Sequence, residues 1–342
     1  MRYFILTIVV SLPLLLSFIG REEKRAAIVA DTPVVEVLQL LGEPLPDHYA
    51  TAADEMKIEI GRQLVLEGKA RIPGGGSTRA ISRFFICTDC HNQVQEDPIL
   101  SVSDPDARLA YAIQNDLPFL QATTFWGISN REHWYNDDYF KKYGALVEPA
   151  RNSLAEATQL CAKECSSGRY LEEWELECIL QYYRTIELHV SDLNLSDKEL
   201  VELNKAVGSE GKHKSAVAKL KSRYMLASPA HLGHVPEDLV KGYDTAPGNP
   251  QTGKEIYERS CKTCHSGHRC SQFILDDATV TFKKLRNHLD KHTYFNLYEI
   301  TRKGTYAQPG HKQYMPMYPL ERLSDQQLED LRAYVEQEAT GF

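Results

Sequence analysis

Residues 84–93 read FFICTDCHNQ, and residues 258–267 read ERSCKTCHSG. Each stretch sets two cysteines with two residues between them and a histidine directly behind: Cys87, Cys90 and His91, then Cys261, Cys264 and His265. Thiols at this spacing can hold a metal ion, form a redox disulfide or attach a haem. The adjacent histidine points to attachment. In that chemistry each thiol adds across a haem vinyl group and the imidazole lies beneath the iron. A redox dithiol has no need of the histidine, and a zinc site needs further ligands at ordered spacing. Two such clusters in one chain therefore predict two covalently bound haem c groups, with His91 and His265 as proximal iron ligands.

The chain has 342 residues, a length that accommodates two or three domains. Its formal net charge of −8 argues against nucleic acid as a partner. The N-terminus, MRYFILTIVVSLPLLLSFIG, carries an uncharged run from Tyr3 to Gly20 with no small-x-small cleavage site before REEKR. Residues 1–25 read as a signal peptide or an N-terminal membrane anchor. Either places the body on the periplasmic side of the cytoplasmic membrane, where a bacterial chain receives covalent haem. Four of the eight cysteines belong to the two clusters; Cys161, Cys165, Cys178 and Cys270 remain.

The pattern along the chain predicts an all-α protein. Residues 26–50, with Pro33, Pro44 and Pro46, read as a tether. ADEMKIEIGRQLVLEG (53–68) has a helical pattern through Met56, Ile60 and Leu64 that stops at Gly68. Ser153 with Glu156 opens a helix that carries Cys161 and Cys165, and LEEWELECILQYY (171–183) places Trp174, Cys178 and Tyr182 on one stripe. Ser196 with Glu199, and Ser324 with Gln327, mark two further helix starts. Helix, thiol cluster, loops and helix occur twice. The expected organisation is two cytochrome c-like helical domains around covalent haems, at 51–190 and 246–342, joined by a partly helical connector at 191–245.

The segment from about 246 to 342 resembles a class I cytochrome c domain, on Gly253, Ile256 and Tyr257 before the cluster and KGTYAQPGHKQYMPMYPLERLSDQQLEDLRAYV after it. In that family a Met-Pro step precedes the last helix and its thioether closes the distal side of the iron. The resemblance assigns this role to Met315, followed by Pro316, with Met317 in reserve. It also implies that Gly253 lets the first and last helices approach near Tyr334. KKLRNHLDKH (283–292) reads as a solvated helix face or as a docking patch for an acidic redox partner.

No methionine lies between His91 and Tyr224, so the first haem needs another distal ligand or has an open side. His133 and His189 are candidates, with His133 the better of the two. Residues 140–185 resemble the first domain of the di-haem thiosulfate dehydrogenases, whose distal ligand is a cysteinate. Cys161 followed by Gly168 keeps that family's spacing, Glu175 and Tyr182 sit in the following helix, and KKYGALVEPARNSL is similar to its Tyr-rich approach. The chain departs from the family at Cys165, Ser166 and Ser167. The resemblance therefore implies Cys161 as ligand with Cys165 in reserve, four apart on one helix face. The alternative is that both thiols are structural.

Two functions follow. One is an exported di-haem electron carrier serving redox partner proteins, its first haem low in potential and its second His/Met ligated. The other is a sulfur-compound oxidising enzyme of the thiosulfate dehydrogenase kind, in which Arg79, Arg83 or Arg151 could attract an anionic substrate to the first iron.

Overall fold

The computed structural model describes residues 27–49, 52–209, 213–267, 270–271, 273–305 and 315–341. Among them every regular element is a helix, and the only bridges are isolated ones, Pro33 with His189 and Arg71 with Ser77. The protein is all-α. The N-terminal segment expected to be a signal or an anchor lies outside the described residues, none of whose helices is long and apolar enough to cross a membrane.

The same crossing of first and last helix is built twice. In the N-terminal half, helix Glu55–Glu67 starts at Asp54, whose carboxylate accepts from Met56 N and Lys57 N, and stops at Gly68 with φ 70°. It packs on helix Glu173–Arg184 through Ile60, Leu64, Ile179 and Tyr183. Contact is so close at Gly61 that a Cβ there would lie 1.9 Å from the Cys178 carbonyl oxygen. In the C-terminal half, helix Pro250–Ile256 crosses helix Asp325–Thr340, and a Cβ on Gly253 would lie 2.0 Å from Asp330 O and 2.8 Å from Tyr334 Cβ. The expected close approach at Gly253 is present.

The two crossings also share a polar clasp. Gln181 Oε1 accepts from Asp54 N at 2.8 Å, and Asp330 Oδ1 accepts from Asn249 N at 2.7 Å. Each last helix thus holds the N-cap residue of its first helix. The capping boxes expected at Ser196/Glu199 and Ser324/Gln327 form, each worth about 1 kcal/mol. At Ser153 only half of the box forms, with Ser153 Oγ accepting from Glu156 N.

Several expectations need correction. Residues 26–50 are not a loose tether: helix Val34–Leu40 buries Val34, Val37 and Leu38 against Leu203, Val207, Val217 and Leu220 of the segment expected to be a connector. Together these form a third small core, because each amphipathic helix offers the other an apolar face. Helix Pro105–Gln114 and the segment after it, inside the first expected domain, deliver Leu109, Ala112 and Phe119 to the core of the C-terminal half. Phe119 N donates to Arg259 O at 2.8 Å and Ser260 Oγ donates to Phe119 O at 2.7 Å, which fixes this insertion. Trp174 is 41% exposed and off the buried stripe, whereas Cys178 and Tyr182 are buried. None of the cysteines is in a disulfide, and Cys178 sits inside the helix crossing.

Candidate haem-binding sites

Each histidine of the two clusters has its Nδ1 held by a backbone carbonyl. His91 Nδ1 lies 2.6 Å from Thr123 O, and His265 Nδ1 lies 2.8 Å from Phe273 O. A carbonyl oxygen only accepts, so Nδ1 carries the proton and Nε2 keeps its lone pair for a metal. Burial pushes the His91 imidazole down to about 4, so it stays neutral at physiological pH. Phe125 stacks on the ring at 4.2 Å and fixes its plane.

Two cavities open above these rings. The first is lined by Cys87, Cys90 and His91 together with Cys161 and Cys165. The second is lined by Cys261, Cys264, His265 and Met315. Burial in apolar walls pushes the Cys87 and Cys261 thiols up to about 12 and Cys90 well above the usual range. Neutral thiols on an apolar wall beside a lone-pair nitrogen suit covalent haem attachment. Among the described residues no group of three or more His, Cys, Asp or Glu side chains forms a metal cage.

The cavities are neighbours. Phe85, Gln121 and Pro316 line both, and Cys264 Sγ is 4.0 Å from Asp89 O inside the other cluster. Phe85 and Gln121 are buried, so this shared wall lies inside the protein.

Met315 lines the second cavity. Its N–H donates to Thr305 Oγ1 at 2.7 Å, Thr305 N donates back to Met315 O at 3.2 Å, and Tyr318 N donates to Thr301 O at 2.8 Å. These bonds fasten the Met-Pro step to helix Leu297–Lys303 and turn Met315 into the second cavity. Met317, the reserve for that iron, lines the first cavity instead, because the intervening Pro316 forms the common wall.

His133 is excluded from the first cavity: its ring faces Asn152 Oδ1 at 2.6 Å on the surface. His189 is likewise outside, at the start of the turn Val190–Leu193. Cys161 and Cys165 both line the cavity, on one turn of π-helix that continues helix Leu154–Leu160. Such turns concentrate at functional positions. Gly168 beyond them has no room for a side chain, since a Cβ would meet Ile81 O at 2.4 Å and Ala162 O at 2.6 Å. Glu175 receives both terminal nitrogens of Arg169 at 2.7 Å, which pins the loop that closes this wall.

The sequence reading missed what surrounds Cys165. Tyr135 and Tyr143 hydroxyls lie 3.6 and 3.8 Å from its sulfur, and Tyr139 lines the same wall. The spacing of four in YNDDYFKKY was the available signal, since it puts Tyr139 and Tyr143 on one face of helix Asp137–Tyr143 with Tyr135 just before its N-cap. Lys142 Nζ lies 2.9 Å from Met317 Sδ, and burial pushes the lysine down to about 8. A hydrogen bond from the Cys161 thiol, the two tyrosine hydroxyls and the Lys142 charge together lower Cys165, while Cys161 is raised by that same bond and by burial.

The arginines expected to draw in an anion are elsewhere. Arg79 pairs loosely with Glu172, Arg151 pairs with Asp137 at 2.6 Å, and Arg83 lines the second cavity. Arg131 and Lys142 are the cations at the first.

With this geometry in view, comparison with known proteins decides the C-terminal half. Residues 248–335 match the family model described as cytochrome c oxidase, cbb3-type, subunit III. The chain carries a cytochrome c domain. Such a domain holds a haem for electron transfer, and the match covers the second cluster, Met315 and most of the closing helix. No curated protein and no solved structure matches the chain.

Proposed function

We propose that the chain is an exported di-haem c-type cytochrome that takes electrons at its first haem and passes them out through its second. The observation that carries this reading is the repeated pocket: two thiol pairs, each beside a histidine whose Nδ1 is tied to a carbonyl, across one shared wall. Cys87 and Cys90 hold one haem with His91 as proximal ligand; Cys261 and Cys264 hold the other with His265. Met315 closes the second iron and a thiolate, Cys161 with Cys165 in reserve, closes the first.

A thiolate stabilises ferric iron, whereas a thioether favours the ferrous state, so the first haem lies lower in potential than the second. Electrons then run downhill from the first to the second. The second cavity has Lys284 and the exposed rings of Phe273 and Phe295 at its rim. An acidic redox partner would meet Lys283, Lys284 and Arg286 there, on helix Thr279–Arg286. The N-terminal segment would keep the chain at the periplasmic face of the membrane.

A second reading is favoured by the distal wall of the first cavity. Its buried Lys142 has a thioether at hydrogen-bond distance rather than a carboxylate, and it stands beside two thiols. That wall would suit an enzyme oxidising an anionic sulfur compound at the first iron, as the thiosulfate dehydrogenase resemblance implies.

The test of the di-haem reading is haem staining after denaturing electrophoresis, with a haem count per chain, for protein made alongside haem-attachment machinery. Two haems per chain are expected, one in a Cys87→Ala, Cys90→Ala variant and one in a Cys261→Ala, Cys264→Ala variant. A single haem in the unaltered chain contradicts it.

A further inference from the structure

We infer that Cys161 and Cys165 form a third redox centre, a dithiol that closes to a disulfide while delivering one electron to each haem iron. The inference rests on the di-haem reading. It starts from the two cysteines themselves, which line one cavity and stand four apart on one π-helical turn.

Geometry favours closure. Side chains four apart on a helix have Cβ atoms about 5–6 Å apart, and a disulfide needs about 4 Å. The required approach falls on a π-helical turn at the end of its helix, where Ser166 N donates to Cys161 O at 2.9 Å and Ser167 has φ 51°. Backbone at such an end yields more readily than backbone inside a helix. No rigid body has to move.

Chemistry favours it too. A disulfide forms when a thiolate-like sulfur is held against a second sulfur and the electrons have somewhere to go. Cys165 is the sulfur held as the nucleophile: the Tyr135 and Tyr143 hydroxyls lie 3.6 and 3.8 Å from it, and Lys142, which has no carboxylate partner among the described residues, adds its positive charge. On oxidation one S–S bond forms, the two cysteines lose two electrons with whatever protons they carry, and two ferric irons become ferrous. Electrons balance because the chain has two one-electron acceptors across a shared wall. Any thiolate bond from this pair to the first iron breaks in the same step. The pair would thus convert two-electron thiol chemistry, including exchange with a dithiol partner, into single electrons.

The experiment uses the haem-loaded full chain. Protein reduced with dithiothreitol and desalted without oxygen is titrated with ferricyanide, then denatured, alkylated and digested. The expected result is uptake of twice as much oxidant as the haems alone consume, with the Cys161–Cys165 peptide unalkylated and lighter by two hydrogens. Cys165→Ser should consume only the haem equivalents. The inference is overturned if both thiols are alkylated after full oxidation, or if oxidant uptake matches the haems alone. Haem staining of the same samples reports separately on the di-haem reading. Peptide analysis of the unaltered chain decides the matter even where the serine variant does not fold.

Discussion

Arg322 Nη1 donates to Glu96 Oε1 at 2.6 Å although the residues lie on different halves of the chain, and both side chains are buried. Arg108 approaches the same carboxylate at 3.7 Å, and Thr124 N donates to it at 2.7 Å. Burial alone would push the Glu96 carboxyl up, but the Arg322 and Arg108 guanidiniums win and hold it at about 2. This buried pair ties the first cluster's loop to the segment that carries Met315.

Removing Arg322 leaves Glu96 with only the longer Arg108 contact. Arg322→Met should destabilise the fold by up to about 3–5 kcal/mol, the usual cost of breaking a buried pair from one side. The check is the urea midpoint of the haem-loaded protein. Adding Glu96→Gln should recover part of the loss, because the stranded group is then neutral.

Asp97, next to that pair, gives a pH dependence of opposite sign. Burial raises its carboxyl from 3.8 to about 6 against the pull of Arg322, and its Oδ1 has no hydrogen-bond partner. A folded value above the unfolded one means the folded state holds the proton more tightly. Its stabilising effect is therefore complete below about pH 4 and lost as pH rises through about 6. Glu96 behaves conversely, stabilising above its ordinary 4.5 and losing that effect as pH falls toward 2. Asp97→Asn should raise the denaturation midpoint at pH 7 and flatten the profile between pH 4 and 6. An unchanged slope there would assign that slope to another group.

The helix crossings supply a packing prediction. Gly61→Ala and Gly253→Ala each drive a methyl into a carbonyl oxygen, at 1.9 and 2.0 Å. Each should cost at least the roughly 1–3 kcal/mol of an overpacked core. Thermal unfolding measures it. Gly267→Ala, where a Cβ would meet nothing within 4 Å and φ is not positive, serves as the control for the loss of a glycine.

Much of this was legible in the sequence because it is local. The capping boxes at Ser196 and Ser324, the stop at Gly68 and the two clusters each depend on residues within a few positions. What could not be read depends on contacts between distant segments. Met315 and Met317 are two apart with no local reason to differ, yet Pro316 between them forms a wall common to both cavities. Helix Pro105–Gln114 is amphipathic whichever core it enters, and only Phe119 bonding to Arg259 and Ser260 assigns it to the far one. The apolar face of helix Val34–Leu40 is hidden in a proline-rich stretch and finds its partner about 170 residues later, at Leu203 and Val207. His133 looked like a ligand by residue type alone, and its contact with Asn152 turned it outward.

That separation of the methionines is itself testable. Met315→His should keep the second haem low-spin and lower its potential, since imidazole favours ferric iron more than a thioether does. Met317→Leu should leave the second haem's potential unchanged, because Met317 faces the first cavity. Spectroelectrochemistry of the two variants separates the effects.

The central claim is that one mode of attachment serves two different irons, one bound by thiolate and the other by thioether. A redox titration of the haem-loaded chain, followed by absorbance and by EPR of the oxidised protein, addresses it directly. The account predicts two separated waves, a thiolate-type low-spin signal for the lower one in whichever of the Cys165→Ser and Cys161→Ser variants keeps the ligating sulfur and cannot close a disulfide, and a rise of that wave alone in Cys161→Met or, if Cys165 is the ligand, in Cys165→Met. Two waves near one positive potential, with no thiolate-type signal, would contradict it.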